Sequence, residues 1–449
     1  MKQSNGPRQL HNLSSSSKIN WDKYKMKGYF HFDEPVYIQH MKSQLQNRDW
    51  ISSYAFLPFI HFEIIFKRYG TKLEDGEKTE DEKVRKIFYA AHKDQFIYKY
   101  YGDNLSYSYN EYAKNHGIDE VAIAYRNNKG KNNIEFTFEV FDFLFKQQEA
   151  LVISLDFTSF FDNINHSYLK RNIKEVLKVE ELEEDWYQVF KNTTKYSYID
   201  KNHVDELLKD KYGIKKFNAH DSKLEITPKE FRKLKPGTLE VNRKSYGIPQ
   251  GSGMSAVCSN VHLIHFDKEL KAWAVQQGAL YRRYSDDLIL VIPCNIEDMD
   301  YLELKKQVLD IVGEYKEYGL DVQDKKTEIR LYVDGRIKDE DKAPSTLDYL
   351  GFVTDGEVLR LREKSLFKYY SRAYRKAKTS KRISKATKRP GPKQELYDIY
   401  THLGYNYKNL GNFTTYAYKA HKKMSQLKTR SLIRQQIKRH WNRIHKRMS

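Results

Sequence analysis

Two adjacent aspartates, Asp286 and Asp287, separate a polar, aromatic run, Tyr281-Arg282-Arg283-Tyr284-Ser285, from an unbroken apolar run at residues 288–292. Apolar runs of that length bounded by turn residues form buried strands. The stretch therefore predicts a β-hairpin with both aspartates at its tip. Two carboxylates on one rigid turn repel each other unless a cation lies between them. Mg²⁺ suits such a place, since it takes oxygen ligands and commonly uses one or two carboxylates with substrate phosphates. A solvated turn is the competing reading, because Asp is common in turns for local hydrogen-bonding reasons. The rest of the chain decides between them.

Length alone, 449 residues, suggests about three domain-sized units. The two cysteines, Cys258 and Cys294, cannot make a disulfide framework and lack metal-ligand spacing, which fits a reducing compartment. The N-terminus has no apolar signal region, and no run of 18 apolar residues occurs, so a cytoplasmic protein without a membrane segment is expected. The formal net charge is +19, unevenly placed. Residues 355–449 hold 26 Lys/Arg against 5 Asp/Glu, and the remainder holds 53 against 55. Clustered basic charge in a folded segment points to a polyanion, most often nucleic acid. Tyr369, Tyr370, Tyr374, Tyr397, Tyr400, Tyr405, Tyr416 and Trp441 argue against a disordered tail, because such tails are poor in aromatics.

Residues 1–20 are polar and Ser-rich and read as a loose leader. Residues 50–69 are aromatic and aliphatic around Pro58, which predicts a helix broken near the proline. Residues 71–82 read as a charged loop, 83–89 as a basic strand, 91–112 as a helix and 121–126 as another strand. Residues 127–133 form a polar, basic loop. Arg85, Arg126, Lys129 and Lys131 are a candidate cationic site for phosphates, with ordinary surface charge as the alternative. Residues 150–157 are a mostly apolar strand carrying Asp156, and a carboxylate beside a buried run needs a partner or an ion. A helix starts within residues 160–166, with Asn or Asp available as its cap. Residues 170–245 are charged and less regular, and no chemistry is assigned there. Residues 247–253 are a Gly/Pro loop without a Walker pattern, opening a helix from about Met254 to Gln277. Backbone N–H groups at such a place favour phosphate. Leu304, Val308, Ile311, Val312 and Tyr315 mark an amphipathic helix. A strand is expected at 326–332, then a hairpin arm at 347–352 turning at Asp355-Gly356. Beyond Leu361 the pattern is helical.

Two-metal phosphoryl transfer needs carboxylates from separate strands, and Asp156 and the Asp286-Asp287 pair supply them. The ordered segments LDFTSFFDNINH, GIPQGSGMSAVCSN, RRYSDDLILV, GLDVQDKKTEI and LDYLGF resemble reverse transcriptase motifs A to E. KVRKIFYA and AYRNNKGKNN resemble the fingers motifs before them, so the resemblance covers roughly residues 83–370. FFDNINH and PQGSGMSAVCSN are most similar to the bacterial group of retron, group II intron and phage-defence enzymes. No maturase or nuclease signature is found, and a basic helical segment follows the thumb. The chain therefore most resembles the defence-associated, abortive-infection-type reverse transcriptases.

The resemblance implies an α+β, right-hand polymerase fold of fingers, palm and thumb with a basic α-helical C-terminal extension. It divides the chain into a leader and helical part of the fingers (1–82), fingers and palm (83–354), and basic thumb and extension (355–449). It implies that Asp156 and Asp286 ligate two Mg²⁺ ions, with Asp287 beside them. Phe161 would be the steric gate below the sugar 2′ position, and Gln250 would line the incoming nucleotide. Arg85 and Arg126 would contact the triphosphate, Lys326 would be the acid for the pyrophosphate leaving group, and residues 350–352 would grip the primer end. The implied function is RNA-directed DNA synthesis in bacterial antiviral defence. A noncoding RNA would be the template, dNTPs the substrates and DNA the product. An oligomer or partner protein is left open. The alternatives are untemplated or protein-primed DNA synthesis, and a catalytically silent RNA-binding scaffold.

Overall fold

The computed structural model describes residues 19–71, 78–213, 230–231, 237–297, 301–322, 327–389, 391–438 and 440–448. Most of the expected leader, Lys326, and Pro236 of the Pro236-Gly237 loop expected within residues 170–245 lie outside the described residues. The strands are β1 (Phe59–Thr71), β2 (Lys78–Tyr89), β3 (Ala150–Asp156), β4 (Ser197–Asp200), β5 (Leu239–Val241), β6 (Leu280–Tyr284), β7 (Asp287–Pro293), β8 (Glu328–Val333), β9 (Arg336–Lys338), β10 (Leu347–Tyr349), β11 (Phe352–Thr354), β12 (Val358–Leu361) and β13 (Arg430–Ser431). Helices fill much of the chain between them, so the fold is α+β. Among the described residues no helix is long and apolar enough to cross a membrane. Two compact units are present: Met1–Asp119, Thr158–Asp267 and Gly313–Asp321 make one, and Glu120–Phe157, Lys268–Val312 and Val322–Ser449 make the other.

The first unit holds a sheet in the order β2-β1-β4-β5. The helix expected over residues 50–69 is instead a short helix, Arg48–Ser52, followed by the long strand β1. From Phe59 onward the chain is rich in aromatic and β-branched residues, which suit a pleated surface. β2 supplies the partner, pairing from Ile60↔Tyr89 to Thr71↔Lys78. Lys78 to Glu82 thus belong to a strand and not to the expected charged loop. The helix His92–Asn115 buries Phe96, Ile97, Tyr101, Leu105, Tyr109 and Tyr112. Its first N–H groups are met by a distant carboxylate: Asp33 accepts from His92 N at 2.8 Å and Lys93 N at 2.9 Å. The single helix expected at 254–277 is two helices, Ser255–His262 and Ile264–Gln276. At that break the Asn172 amide donates to the carbonyls of Val261 and His262, at 3.2 and 3.0 Å.

The second unit holds two sheets, β6-β7-β3-β8-β9 and β10-β11-β12-β13. β3 lies at the centre of the first, antiparallel to both β7 and β8. The helix Asn133–Phe145, started by an Asn132/Glu135 capping box, packs Val140, Phe141 and Leu144 with Val152, Ile289 and Val291. Residues 121–126 do not form the expected strand. They make one parallel bridge, Ala122↔Arg283, and Tyr125 at φ +61° then turns the chain away. The hairpin arm expected at 347–352 is itself two strands, because Leu350 and Gly351, both at positive φ, reverse the chain between β10 and β11. The turn expected at Asp355-Gly356 joins β11 to β12. The C-terminal helix Phe413–Met424 buries Ala417, Ala420 and Met424 in the same core as Val152 and Ile289.

One buried carboxyl gives the first unit a pH dependence. Asp94 is fully buried and accepts from Tyr54 Oη at 2.8 Å and Leu57 N at 2.9 Å. Burial outweighs those bonds and raises its pKa from 3.8 to about 7. Between those values the folded chain keeps a proton that the unfolded chain has released. Its contribution is complete below the unfolded value and is lost as pH rises through about 7. Asp94→Asn should remove this slope, so the unfolding midpoint of the variant minus that of the wild type should rise between about pH 4 and pH 8. A difference that stays constant with pH contradicts it.

Candidate active site

β3 and β7 are each apolar along their length, and their pairing runs from Ala150↔Pro293 to Asp156↔Asp287. Leu151, Val152 and Ile153 are fully buried, as are Leu290, Val291 and Ile292. That register ends with two carboxylates directly opposite each other, where Cβ atoms are about 4.5–5.5 Å apart. β6 and β7 are joined by a two-residue turn, Ser285-Asp286, since Tyr284 pairs with Asp287. Ser285 takes a left-handed backbone, φ +63°. The carbonyl of Asp286 accepts from Phe157 N at 3.3 Å, which stitches the turn to the end of β3. Asp156, Asp286 and Asp287 thus gather at one end of one sheet. Asp156 and Asp286 are half-buried and Asp287 is exposed.

Among the described residues, no three His, Cys, Asp or Glu side chains are grouped closely enough to hold an ion by themselves. The donor set at the hairpin is nonetheless all carboxylate oxygen, from two adjoining strands and their turn. Such donors suit Mg²⁺, which is usually held by one or two carboxylates completed by substrate phosphates.

Around the turn, burial pushes the Tyr284 phenol up, with Tyr125 and the Asp287 charge adding to it. Arg126, a candidate for the triphosphate, is buried and braces its own loop. Its guanidinium donates to Ala122 O at 3.1 Å and Asn128 Oδ1 at 3.3 Å. Lys129 pairs with Glu120 at 2.8 Å and Lys131 with Glu139 at 2.5 Å.

Phe161, Gln250 and Arg85 belong to the first unit. Phe161 lies in the short helix Phe160–Asn163, whose N-cap Ser159 makes no side-chain cap, so the expected Asn or Asp cap is absent there. Asn165 does cap the next helix, His166–Leu177, accepting from Tyr168 N. The carbonyl of Phe161 accepts from Ile248 N at 3.0 Å, and the carbonyl of Gln250 accepts from Phe88 N at 2.9 Å. The Gly/Pro loop is therefore tied at one end to Phe161 and at the other to β2. Arg85, on β2, is exposed and lies over the Phe66 ring at 5.4 Å. Lys326 lies outside the described residues.

Sequence reasoning missed Arg283. Its side chain is fully buried and donates from Nη1 to the Ser285 carbonyl at 2.8 Å. An arginine inside a strand that enters an Asp-Asp turn was the available signal.

No family model and no curated protein matches the chain. Among solved structures it is similar to apo telomerase from Candida tropicalis truncated from its C-terminal domain, at 14% identity and a TM-score of 0.40. That alignment covers 71% of this chain and 59% of that one, so this chain spans less than two thirds of the telomerase chain. It is also similar to telomerase from Candida albicans in complex with a TWJ fragment of telomeric RNA, at 11% identity and a TM-score of 0.37, covering 93% and 71% of the two chains. The likeness is loose, and the functional reading rests on the site.

The loop's approach to β2 is testable. Gly251 sits at φ +122°, and a Cβ there would overlap the Phe88 carbonyl oxygen. Gly251→Ala should lower unfolding free energy by about 1–3 kcal/mol, the range for a strained backbone residue. An unchanged urea midpoint and slope would show that the loop is not pinned there.

Proposed function

We propose that this chain is an RNA-directed DNA polymerase that uses two Mg²⁺ ions. The observation that carries the reading is the register that sets Asp156 opposite Asp287, with Asp286 in the adjoining turn. In the reaction the primer 3′-hydroxyl oxygen attacks the α-phosphorus of a dNTP. A new O–P bond forms while the bond from that phosphorus to the pyrophosphate oxygen breaks, and the hydroxyl proton passes to solvent. Asp156 and Asp286 would hold the ions, with Asp287 beside them. When bound, Mg²⁺ supplies Lewis-acid stabilisation of the attacking and leaving oxygens. Lys326 is the proposed acid for pyrophosphate, and exposed Arg85 the proposed triphosphate contact. Phe161 is the proposed gate against a ribose 2′-hydroxyl, and Gln250 the proposed lining of the nucleotide site.

The proposed RNA surface is the helix Glu363–Thr387. Tyr369, Ala373, Ala377 and Ser380 are its buried stripe. Lys364, Lys368, Arg372, Arg375, Lys378 and Arg382 are exposed and recur at three- and four-residue steps on the opposite face. Phe367, 74% exposed, stands on their flank. Phosphates would pair with the charges and an unpaired base would stack on the ring. The motif resemblance further supports a noncoding RNA template and a role in bacterial antiviral defence, in the cytoplasm.

Asp156→Asn or Asp286→Asn should reduce dNTP incorporation on a primed RNA template by at least about 100-fold while RNA affinity stays near wild type. Full incorporation by either folded variant rejects the site. DNA made without template would replace templated copying with untemplated synthesis, and DNA left attached to protein would point to protein priming. Replacing Lys364, Lys368 and Arg375 by Gln should flatten the log–log salt dependence of RNA binding by about one unit per charge removed. An unchanged slope removes this helix from the RNA surface.

A further inference from the structure

We infer that Arg283 is a positioning residue, which fixes the turn carrying Asp286 and Asp287 and so sets the metal affinity of the site. The inference rests on the polymerase reading above. A buried guanidinium is costly to desolvate unless its donors are met, so a fully buried arginine marks a specific partner. Arg283 is the largest fully buried side chain among the described residues. Its Nη1 donates to the carbonyl of Ser285 at 2.8 Å, reaching over Tyr284 to the first residue of the turn.

The backbone of Arg283 is held as firmly as its side chain. Its N–H donates to Val121 O at 2.9 Å, and its carbonyl accepts from Ile123 N at 2.9 Å. On the other side it pairs with Leu288 of β7. Val121, Ala122 and Ile123 are themselves buried, so this edge has no slack. Residues 121–123 thus have a use that their lack of regular strand conceals: they clamp Arg283.

The turn needs such a clamp. Ser285 is not glycine, yet it adopts a left-handed backbone. Its Oγ is buried and finds no hydrogen-bond partner among the described residues, so nothing there ties the conformation through its own side chain. The guanidinium bond to its carbonyl ties it instead. A rigid fork with fixed donor directions suits this better than a flexible ammonium. Asp286 is the next residue, so the orientation of the Ser285–Asp286 peptide governs where both carboxylates stand.

The test uses full-length protein with Arg283→Gln, which is neutral and too short to span the turn, and Arg283→Lys, which keeps the charge. Mn²⁺ binding is followed by electron paramagnetic resonance with a non-hydrolysable dNTP analogue present. Incorporation is titrated with Mg²⁺ alongside, and unfolding curves confirm the fold. Arg283→Gln should weaken Mn²⁺ binding about tenfold and raise the half-maximal Mg²⁺ concentration about tenfold. The dNTP KM at saturating Mg²⁺ should be unchanged, and Arg283→Lys should fall between. Wild-type Mn²⁺ affinity and Mg²⁺ midpoint in folded Arg283→Gln overturn the inference. If that variant does not fold, wild-type values in Arg283→Lys overturn it instead. Asp156→Asn separates the two levels: if it binds Mn²⁺ as the wild type does, the metal-site reading fails and the inference falls with it. If it loses Mn²⁺ while Arg283→Gln keeps it, the inference alone fails.

Discussion

Antiparallel pairing of β3 with β7 places the carboxylate of Asp156 across from that of Asp287. Like charges directly opposite in a sheet destabilise it, by about 0.2–1 kcal/mol for a cross-strand pair. The same pairing buries Leu151, Val152, Ile153, Leu290, Val291 and Ile292, each worth roughly 1.5–3 kcal/mol on removal from water. Burial therefore outweighs a repulsion of that size at the end of the ladder. A one-residue slip would separate the carboxylates but turn every side chain to the opposite face. The packing around the sheet forbids that slip. The helix Asn133–Phe145 and the helix Phe413–Met424 both contribute to the core that holds Val152, Ile289 and Val291.

The basic C-terminal segment follows from the same economy of faces. Part of it is core: Ala417, Ala420, Met424, Ile433 and Ile437 pack in the cluster that holds Val152, Ile289 and Val291. β13 also pairs with β12. On the helix Glu363–Thr387, small and aromatic residues are buried on one side, and lysines and arginines face solvent on the other. Two arginines of the helix His440–Met448 lie over rings of that helix, Arg443 over Tyr370 at 5.5 Å and Arg447 over Tyr374 at 5.0 Å. The aromatics that argued against a disordered tail are thus partly structural, and the charge left over is displayed on the exposed face of a helix.

The hairpin and β3 were legible because an apolar run next to aspartate has few ways to fold. The amphipathic helix around Leu304, Val308 and Val312 was legible from its period, and those three residues are buried. Residues 59–69 were misread because aromatic and aliphatic content alone does not separate a helix from a strand. The partner strand β2 decided it. The break at Leu263 depends on the Asn172 amide from another helix, which no local pattern carries. Arg126 and Arg283 show the same limit. Sequence reasoning took Arg126 as a phosphate contact or ordinary surface charge and gave Arg283 no role, whereas the fold buries both, Arg126 bonded within its own loop and Arg283 bonded to the turn.

The central claim is that the facing carboxylates are a cation site whose repulsion the fold tolerates. The most direct measurement is the thermal unfolding midpoint of wild type and Asp156→Asn, each in a chelator and in Mg²⁺ with a dNTP. In chelator the variant should be the more stable, because one of two facing charges is gone. With Mg²⁺ and dNTP the wild-type midpoint should rise and the variant's should not. A variant less stable in chelator, and still stabilised by Mg²⁺ and dNTP as the wild type is, would contradict the account.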